Sequence, residues 1–529
     1  MGCAYLVISA LAVLPVLVGY SVLGGDTVVH ARWQAQFAPL VWHGVLYPRW
    51  LPEMNSGFGS PAFLFYPPML QWLGSLFWPI LPEPTDAVVR LCLAVGLASA
   101  IGAMGCRCWL RALELSWRIA SFGGLVFVLM PYRLFVDFYQ RGALAELVGI
   151  SAMPWLLFCA VQMKRYPRRG WAGYALAVAS ILYCHLPAAL MGLAMSSLYV
   201  LALSQGRNLR LMGSATVGTL MGLGLAAPCI VPALSLLHYL PDTTAMFGAR
   251  NQPTNWLLFA RTDWLDPALW LMVIALCSAA LTAGIAMVAI AWRKADAPSR
   301  TNIAFMGIVV VVVAVLNTQV SAGFWALQTP LSRIQFPFRL LSLQAIALTG
   351  LVALAIGQSD NRLIVRTLWL AAPMLLLFDA GLIGYQHWRD TAGGHRMDAV
   401  DLANTADTSE YVLGDTGLAG SRFGSRAFVT GYRYLSQATN AETTLNLPLH
   451  QFAFTGWECK IDAGAWGDAS RLPAPTRLAT CIVPPGRHRV EARLPASNPE
   501  RWGNWIGLFT AIILFSDALR RRLHACRSS

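Results

Sequence analysis

Apolar runs of roughly 20 residues recur along this 529-residue chain, each the length of helix that crosses a hydrocarbon core. They predict twelve spans, near residues 4–24, 86–106, 117–135, 145–163, 171–184, 187–204, 211–231, 267–291, 303–318, 339–357, 367–385 and 503–519. Hydrophobic residues make up 56% of the chain and charged ones only 12%, so most of it is solvated by lipid, not water. Uninterrupted runs of this length imply helices and not a barrel.

The formal net charge of +13 would suggest a nucleic-acid partner in a soluble protein. Here the basic residues lie in short clusters between the runs: Arg107, Arg111 and Arg118; Lys164, Arg165, Arg168 and Arg169; Arg207 and Arg210; Arg293, Lys294 and Arg300; Arg362 and Arg366; and Arg520 to Arg522. Every second loop is basic, so these loops and both termini are expected in the cytoplasm, with no nucleic acid implied. The first run lacks a basic leader and a convincing cleavage site, which predicts a retained span.

The alternate loops, on the far side of a bacterial inner membrane, include all the long ones: 25–85, 238–266, 317–338 and 386–502. The cytoplasmic loops are about ten residues each, too short for a nucleotide-binding domain, and carry no glycine-rich phosphate loop. In the first outer loop, residues 61–81 are apolar and aromatic but broken by Pro67, Pro68 and Pro79, which predicts a helix at or dipping into the interface.

From about residue 398 to 497 the pattern changes to short alternating stretches, such as 426–432, 451–454, 458–461 and 487–494, punctuated by glycine, proline and asparagine. The expected organisation is an α-helical polytopic membrane domain over 1–385, a periplasmic β-sandwich over 386–502, and a last span with a basic tail over 503–529. Cys459 and Cys481 are the two cysteines of the soluble segment. They form a disulfide if it is periplasmic, or remain two buried thiols. The other cysteines show no zinc spacing, and no metal ligands are assigned.

Chemistry is expected in the outer loops. Asp26 follows the first span, where partial desolvation can raise a carboxylate towards a general base, and His30 lies four residues on. The plainer alternative is an aspartate capping a helix that starts at Thr27. Arg133, Asp137, Arg141 and Glu146 gather between the third and fourth spans, where ionisable groups near lipid are costly unless paired or used. His185 occupies the shortest outer turn. Arg333 and Arg339 flank Gln335 and Phe336-Pro337-Phe338, a setting for phosphate recognition or for snorkelling towards headgroups. Arg32 is a further cation and Glu53 a further carboxylate of the first loop. No Ser-His-Asp or Cys-His set is assembled by spacing.

These same residues carry a family resemblance. Asp26-x-x-x-His30, Tyr47-Pro48-Arg49-Trp50, Gly57-Phe58-Gly59-Ser60-Pro61 leading to Phe65-Tyr66-Pro67-Pro68, the Arg141-to-Glu146 turn, His185-Leu186-Pro187 and Gln335-Phe336-Pro337-Phe338-Arg339 resemble a bacterial branch of the GT-C membrane glycosyltransferases, the "6-pyruvoyl-tetrahydropterin synthase-related" membrane proteins. Gly456-Trp457 and the stretch from Pro485 to Val490 resemble the closing β-domain of that branch and of YfhO-type proteins. The resemblance implies a polyprenyl-phosphate-linked sugar donor and an envelope glycan, lipid or protein acceptor. It implies Asp26 as base or partner of a divalent cation (Mg or Mn), His30 as its assistant, and Arg32, Glu53, Arg141, Glu146, His185, Arg333, Gln335 and Arg339 as substrate contacts. Many relatives place two adjacent acids where this chain has Gly25-Asp26. The pterin label implies no activity, since no histidine trio for its zinc is present. A lipid-linked-glycan flippase and a non-catalytic envelope assembly protein are the competing expectations.

Overall fold

The computed structural model describes residues 2–20, 23–241, 252–260, 267–327, 329, 331, 334–392, 405–418 and 429–527. Each of the twelve expected spans coincides with helix among these residues. Among the described residues nine helices are long and apolar enough to cross a membrane, or ten if the pair Leu209–Leu225 and Ala227–Ser235, bent by 71° at Ala226 beside Pro228, counts as one span. The remaining two, Gly2–Leu17 and Pro167–Cys184, are shorter.

Helix ends follow local chemistry. Pro167 and Pro298 occupy first-turn positions that need no N–H donor. Ser116, Asp296 and Asn361 cap the helices that follow them, accepting the N–H of Ile119, of Ser299, and of Leu363 and Ile364.

The chain forms two compact units. The first comprises residues 1–27, 92–225 and 246–397 and holds most of the spans. Some of its interior polar groups pair with one another, as hydrocarbon favours. Trp109 donates to Tyr199 at 3.4 Å, and Tyr199 to Asn302 at 2.5 Å. Arg133, 1% exposed, donates to Ser99 and Ser151 at 2.8 and 2.6 Å. Asp379 lies buried inside the Ala371–Ala392 helix.

The second unit comprises residues 28–91, 226–245 and 398–529, and so cuts across the expected three-part division. It contains two antiparallel sheets. One has the order β1-β2-β8-β4-β5, formed by Val429–Gly431, Tyr434–Ala441, Gly486–Arg493, Glu458–Ile461 and Gly467–Asp468; the other is β3-β7-β6, formed by Leu445–Phe452, Leu478–Val483 and Ser470–Arg471. Inward residues Leu435, Phe452, Leu478, Val483, Val490 and Ala492 build the core between them. The Cys459–Cys481 disulfide joins β4 to β7, one strand from each sheet.

The first outer loop belongs to this core. Its Asp26–Trp42 helix is followed by short helices Ala62–Phe65 and Met69–Ser75 in place of the single interfacial helix expected, because Pro67 and Pro68 interrupt it. Trp50 donates to Gln451 at 2.9 Å, the Phe452 N–H donates to Phe58 O at 2.7 Å, and Phe58 stacks on His450 at 4.7 Å. These contacts join the first loop to the β-domain within the second unit. Where the last helix starts, Ser497 and Glu500 cap each other, with Ser497 N–H to Glu500 Oε2 at 2.7 Å. Glu500 Oε1 meanwhile holds Arg49 at 3.4 Å and Arg433 at 3.0 Å.

Candidate functional site

In the first unit a buried ionic cluster forms where residues Tyr132–Arg141 run as a π-helix, a form concentrated at functional positions. Gly142 ends it at φ 66°, in the left-handed region, with its N–H on Asp137 O. Asp137 and Arg141 lie one turn apart and pair at 2.5 Å. Arg141 Nη1 also lies 3.0 Å from Glu146 Oε2. Glu146 stands in the first turn of Leu144–Arg165, where the helix dipole favours a carboxylate.

Glu146 bridges two cations, since Arg339 Nε approaches the same Oε2 at 3.0 Å. Tyr132 donates to its other oxygen at 3.5 Å. Arg339 Nη1 donates to Ile334 O at 2.8 Å and to Gln335 Oε1 at 3.5 Å. Gln335 itself adopts φ 67°. The turn brings Phe336 and Phe338 into a stack at 5.3 Å, with Arg339 4.9 Å from the Phe336 ring and Arg141 5.4 Å from that of Phe338. Aromatic faces of this kind hold a guanidinium without a further counter-ion. His185 Nδ1 accepts the Ala188 N–H at 3.3 Å, and its ring acts electrostatically on Glu146.

Asp26 reaches this cluster through the backbone. Gly24 donates to Tyr139 O at 3.0 Å, and Thr27 donates to Gly24 O at 3.1 Å. A Cβ at Gly24 would sit 2.5 Å from the Arg141 carbonyl carbon, and one at Gly142 would sit 2.5 Å from Gly24 O. Two glycines thus allow the segments to touch. The Asp26 carboxylate acts electrostatically on Arg141. It stands at the first position of its helix and is exposed.

Of the residues singled out from sequence, the structure brings together Arg141, Glu146, His185, Gln335 and Arg339, with Asp26 beside Arg141. Arg333 lies outside the described residues. His30, Arg32 and Glu53 belong to the second unit. There His30 is buried edge-on to Trp33 and Tyr66, with centroids 5.5 and 5.7 Å away. Arg32 donates to Ala406 O at 3.0 Å. Glu53 is exposed before a short turn, its N–H on Gln36. Tyr132 was not singled out, and Asp137 was given no role. Their signal was the intervals of five and four residues linking Tyr132, Asp137 and Arg141, which the π-helical winding brings near one face.

The donors do not fit a divalent cation. Asp137 and Glu146 already hold guanidiniums, and among the described residues no three of His, Cys, Asp and Glu gather as a metal set.

The fold and this cluster define a polytopic helical membrane protein with an ionic centre at one end of its spans. Residues 63–383 match the 6-pyruvoyl-tetrahydropterin synthase related domain, described as a membrane protein, and the chain belongs to that family. No curated protein matches it. Among solved structures it is similar to the arabinofuranosyltransferase AftD from Mycobacteria, at 18% identity and TM-score 0.46, covering 84% of this chain and 30% of AftD. It is also similar to ArnT from Cupriavidus metallidurans bound to undecaprenyl phosphate, at 14% identity and TM-score 0.30, covering 70% of this chain and 77% of ArnT.

Proposed function

We propose that the protein is an inverting membrane glycosyltransferase of the GT-C type. It takes a polyprenyl-phosphate-linked sugar and transfers it to an envelope acceptor on the periplasmic face of the inner membrane. The motif resemblance supports this reading, and one observation carries it: Asp26, the exposed acid at the end of the first span, is locked through Gly24 and Gly142 against a buried Arg141–Glu146–Arg339 cluster. A lipid-borne donor also suits a chain whose cytoplasmic loops are too short to bind a nucleotide.

In this mechanism Asp26 accepts the proton of the acceptor hydroxyl while that oxygen forms its bond to the anomeric carbon. The bond from that carbon to the phosphate oxygen breaks, and the lipid phosphate leaves with the electron pair. Arg141 supplies fixed positive charge to the leaving phosphate, while Glu146 and Asp137 hold its guanidinium in place. Preorganised donors of this kind contribute about 3 kcal/mol each. Arg339, held by Glu146 and the Ile334 carbonyl, keeps the cluster rigid.

The test is Asp26→Asn in protein reconstituted with a polyprenyl-phosphate sugar. Loss of transfer by about 100-fold or more, with unchanged insertion and melting, is expected; wild-type turnover would remove the base. A lipid-linked-glycan flippase is the second reading, favoured by Arg133 and Asp379 buried within spans. Lipid flipping in acceptor-free proteoliposomes, undiminished in Asp26→Asn, would select it.

A further inference from the structure

We propose that the outward face of the five-stranded sheet is a binding surface for an acidic glycan chain, the acceptor of the transfer proposed above. The inference rests on that reading for the word acceptor, and on the sheet itself for the binding. Along β8 the buried residues Val490 and Ala492 point into the core. Strand alternation therefore turns Arg487, Arg489, Glu491 and Arg493 outward. The neighbouring strands add Tyr434 and Ser436, paired with Arg493 and Glu491, from β2. From β4 come Glu458 and Lys460, paired with the same two residues, and from β5 comes Asp468, opposite Glu458.

The face is divided by charge. At its foot every cation has a carboxylate: Arg493 binds Glu458 at 2.7 Å and lies 4.1 Å from the Trp466 ring, and Lys460 binds Glu491 at 3.1 Å. Its far end is cationic. The Arg489 side chain is 68% exposed, with Glu491 at 3.5 Å, and Arg487 is exposed with no carboxylate in ion-pair range among the described residues. Asp462, beside them, is already engaged by His488 Nδ1 and the Arg489 N–H, each at 2.7 Å. Glu442 lies past the end of β2, outside the ladder.

The linear spacing of the stripe suits a chain-like ligand. β8 ends at Arg493, and the last span starts at Asn498. At about 3.4 Å per residue, Arg487 stands roughly 20 Å farther along the strand than Arg493, with successive outward positions about 7 Å apart. A polymer with an acidic group on each sugar would meet the row along its length, with planar guanidiniums taking carboxylates in forks and Trp466 and Tyr434 offering ring faces to the sugars.

The test uses full-length protein in nanodiscs and three probes: alginate oligomers, uncharged dextran of equal length, and phosphatidylglycerol vesicles. Alginate binding that falls at least tenfold in the Arg487→Ala/Arg489→Ala double variant, with unchanged melting and dextran unbound, is expected. Arg487→Lys/Arg489→Lys should restore part of it. Equal alginate binding by the alanine variant, equal binding of dextran, or loss of vesicle binding alone would each overturn the proposal. Alginate binding should be unchanged in Asp26→Asn, so failure of this surface is separable from failure of the Asp26 reading.

Discussion

The protein contains two Arg–Glu–Arg triads built from the same charges, and they close in different ways. In the second unit Glu500 joins Arg49 to Arg433, and its remaining oxygen takes the Ser497 N–H and hydroxyl. Arg49 gives its other nitrogen to Pro228 O and Asn504 at 2.9 and 3.1 Å. These partners lie at a helix terminus and a broken span, so this triad anchors structure, although Arg433 Nε has no hydrogen-bond partner among the described residues. In the first unit Glu146 joins Arg141 to Arg339, but a second acid, Asp137, shares Arg141, and Asp137 Oδ2 has no hydrogen-bond partner among the described residues. A buried carboxylate oxygen left without a donor is costly. The Glu500 triad therefore ties structural elements together, while the Glu146 triad keeps an unpartnered carboxylate oxygen beside an exposed acid.

Neutralising each central carboxylate gives the strongest test of that contrast. Glu500→Gln and Glu146→Gln each leave two guanidiniums facing an amide, and breaking a buried pair costs about 3–5 kcal/mol. Both variants should melt lower. Glu500→Gln should lose transfer only in proportion to the unfolded fraction, whereas folded Glu146→Gln should lose turnover as well, read as kcat per folded molecule. Equal specific turnover in the two would erase the distinction.

Removing the cross-link sharpens the comparison from the structural side. The Cys459–Cys481 loop spans 22 residues, and its loss should cost about 3 kcal/mol. Melting of Cys459→Ala/Cys481→Ala should fall, with kcat per folded molecule intact. Smaller still is Gly24→Ala, whose Cβ meets the Arg141 backbone and should cost about 1–3 kcal/mol while lowering turnover. Gly25→Ala is its control, because a Cβ there meets nothing within 4 Å. If the two alanines behave alike, the interlock of Asp26 with the Arg141 turn is not what positions the acid.

The spans were legible because a hydrocarbon solvent imposes length and composition on every crossing segment at once. Where lipid no longer dictates, the reading was partial. The first run reads as apolar to residue 24, yet its helix ends at Leu17 because the following segment turns to meet Tyr139. Strand β4 was read with its observed bounds, Glu458–Ile461. Strand β2, with Ser436, Gln437, Thr439 and Asn440 among its eight residues, gave little alternation to detect. In the site, Arg141, Glu146 and Arg339 stood out because charges at span ends are rare. The bridging by Glu146 did not, since it joins residues 193 positions apart through a turn set by Gln335. That the first loop and the β-sandwich share a core was equally hidden, because it depends on individual pairs such as Trp50 with Gln451.

The smallest effect tests the second unit's own joint. Asp407 receives hydrogen bonds from Trp33 Nε1 at 3.0 Å, from the Thr408 N–H at 2.8 Å and from the Ser60 hydroxyl, while Asn55 N–H donates to Thr405 O at 2.8 Å. The strand leading into the β-sandwich is thereby held on the first loop. Burial pushes the Asp407 carboxyl up from 3.8 to about 6, and those three donors only partly oppose it. The folded state thus binds the proton more tightly than the unfolded chain. Its stabilising contribution is complete below pH 4, falls as pH rises through about 4 to 6, and is absent above that. Partial exposure limits the swing to about 1–2 kcal/mol. Asp407→Asn, whose amide oxygen can accept from Trp33 and Thr408, should melt higher than wild type at pH 7 and converge with it at pH 4. A difference between the two that stays constant across that range would mean the carboxyl is ionised throughout, and that the joint is an ordinary charged contact, closer in kind to the Glu500 triad than to the cluster beside Asp26.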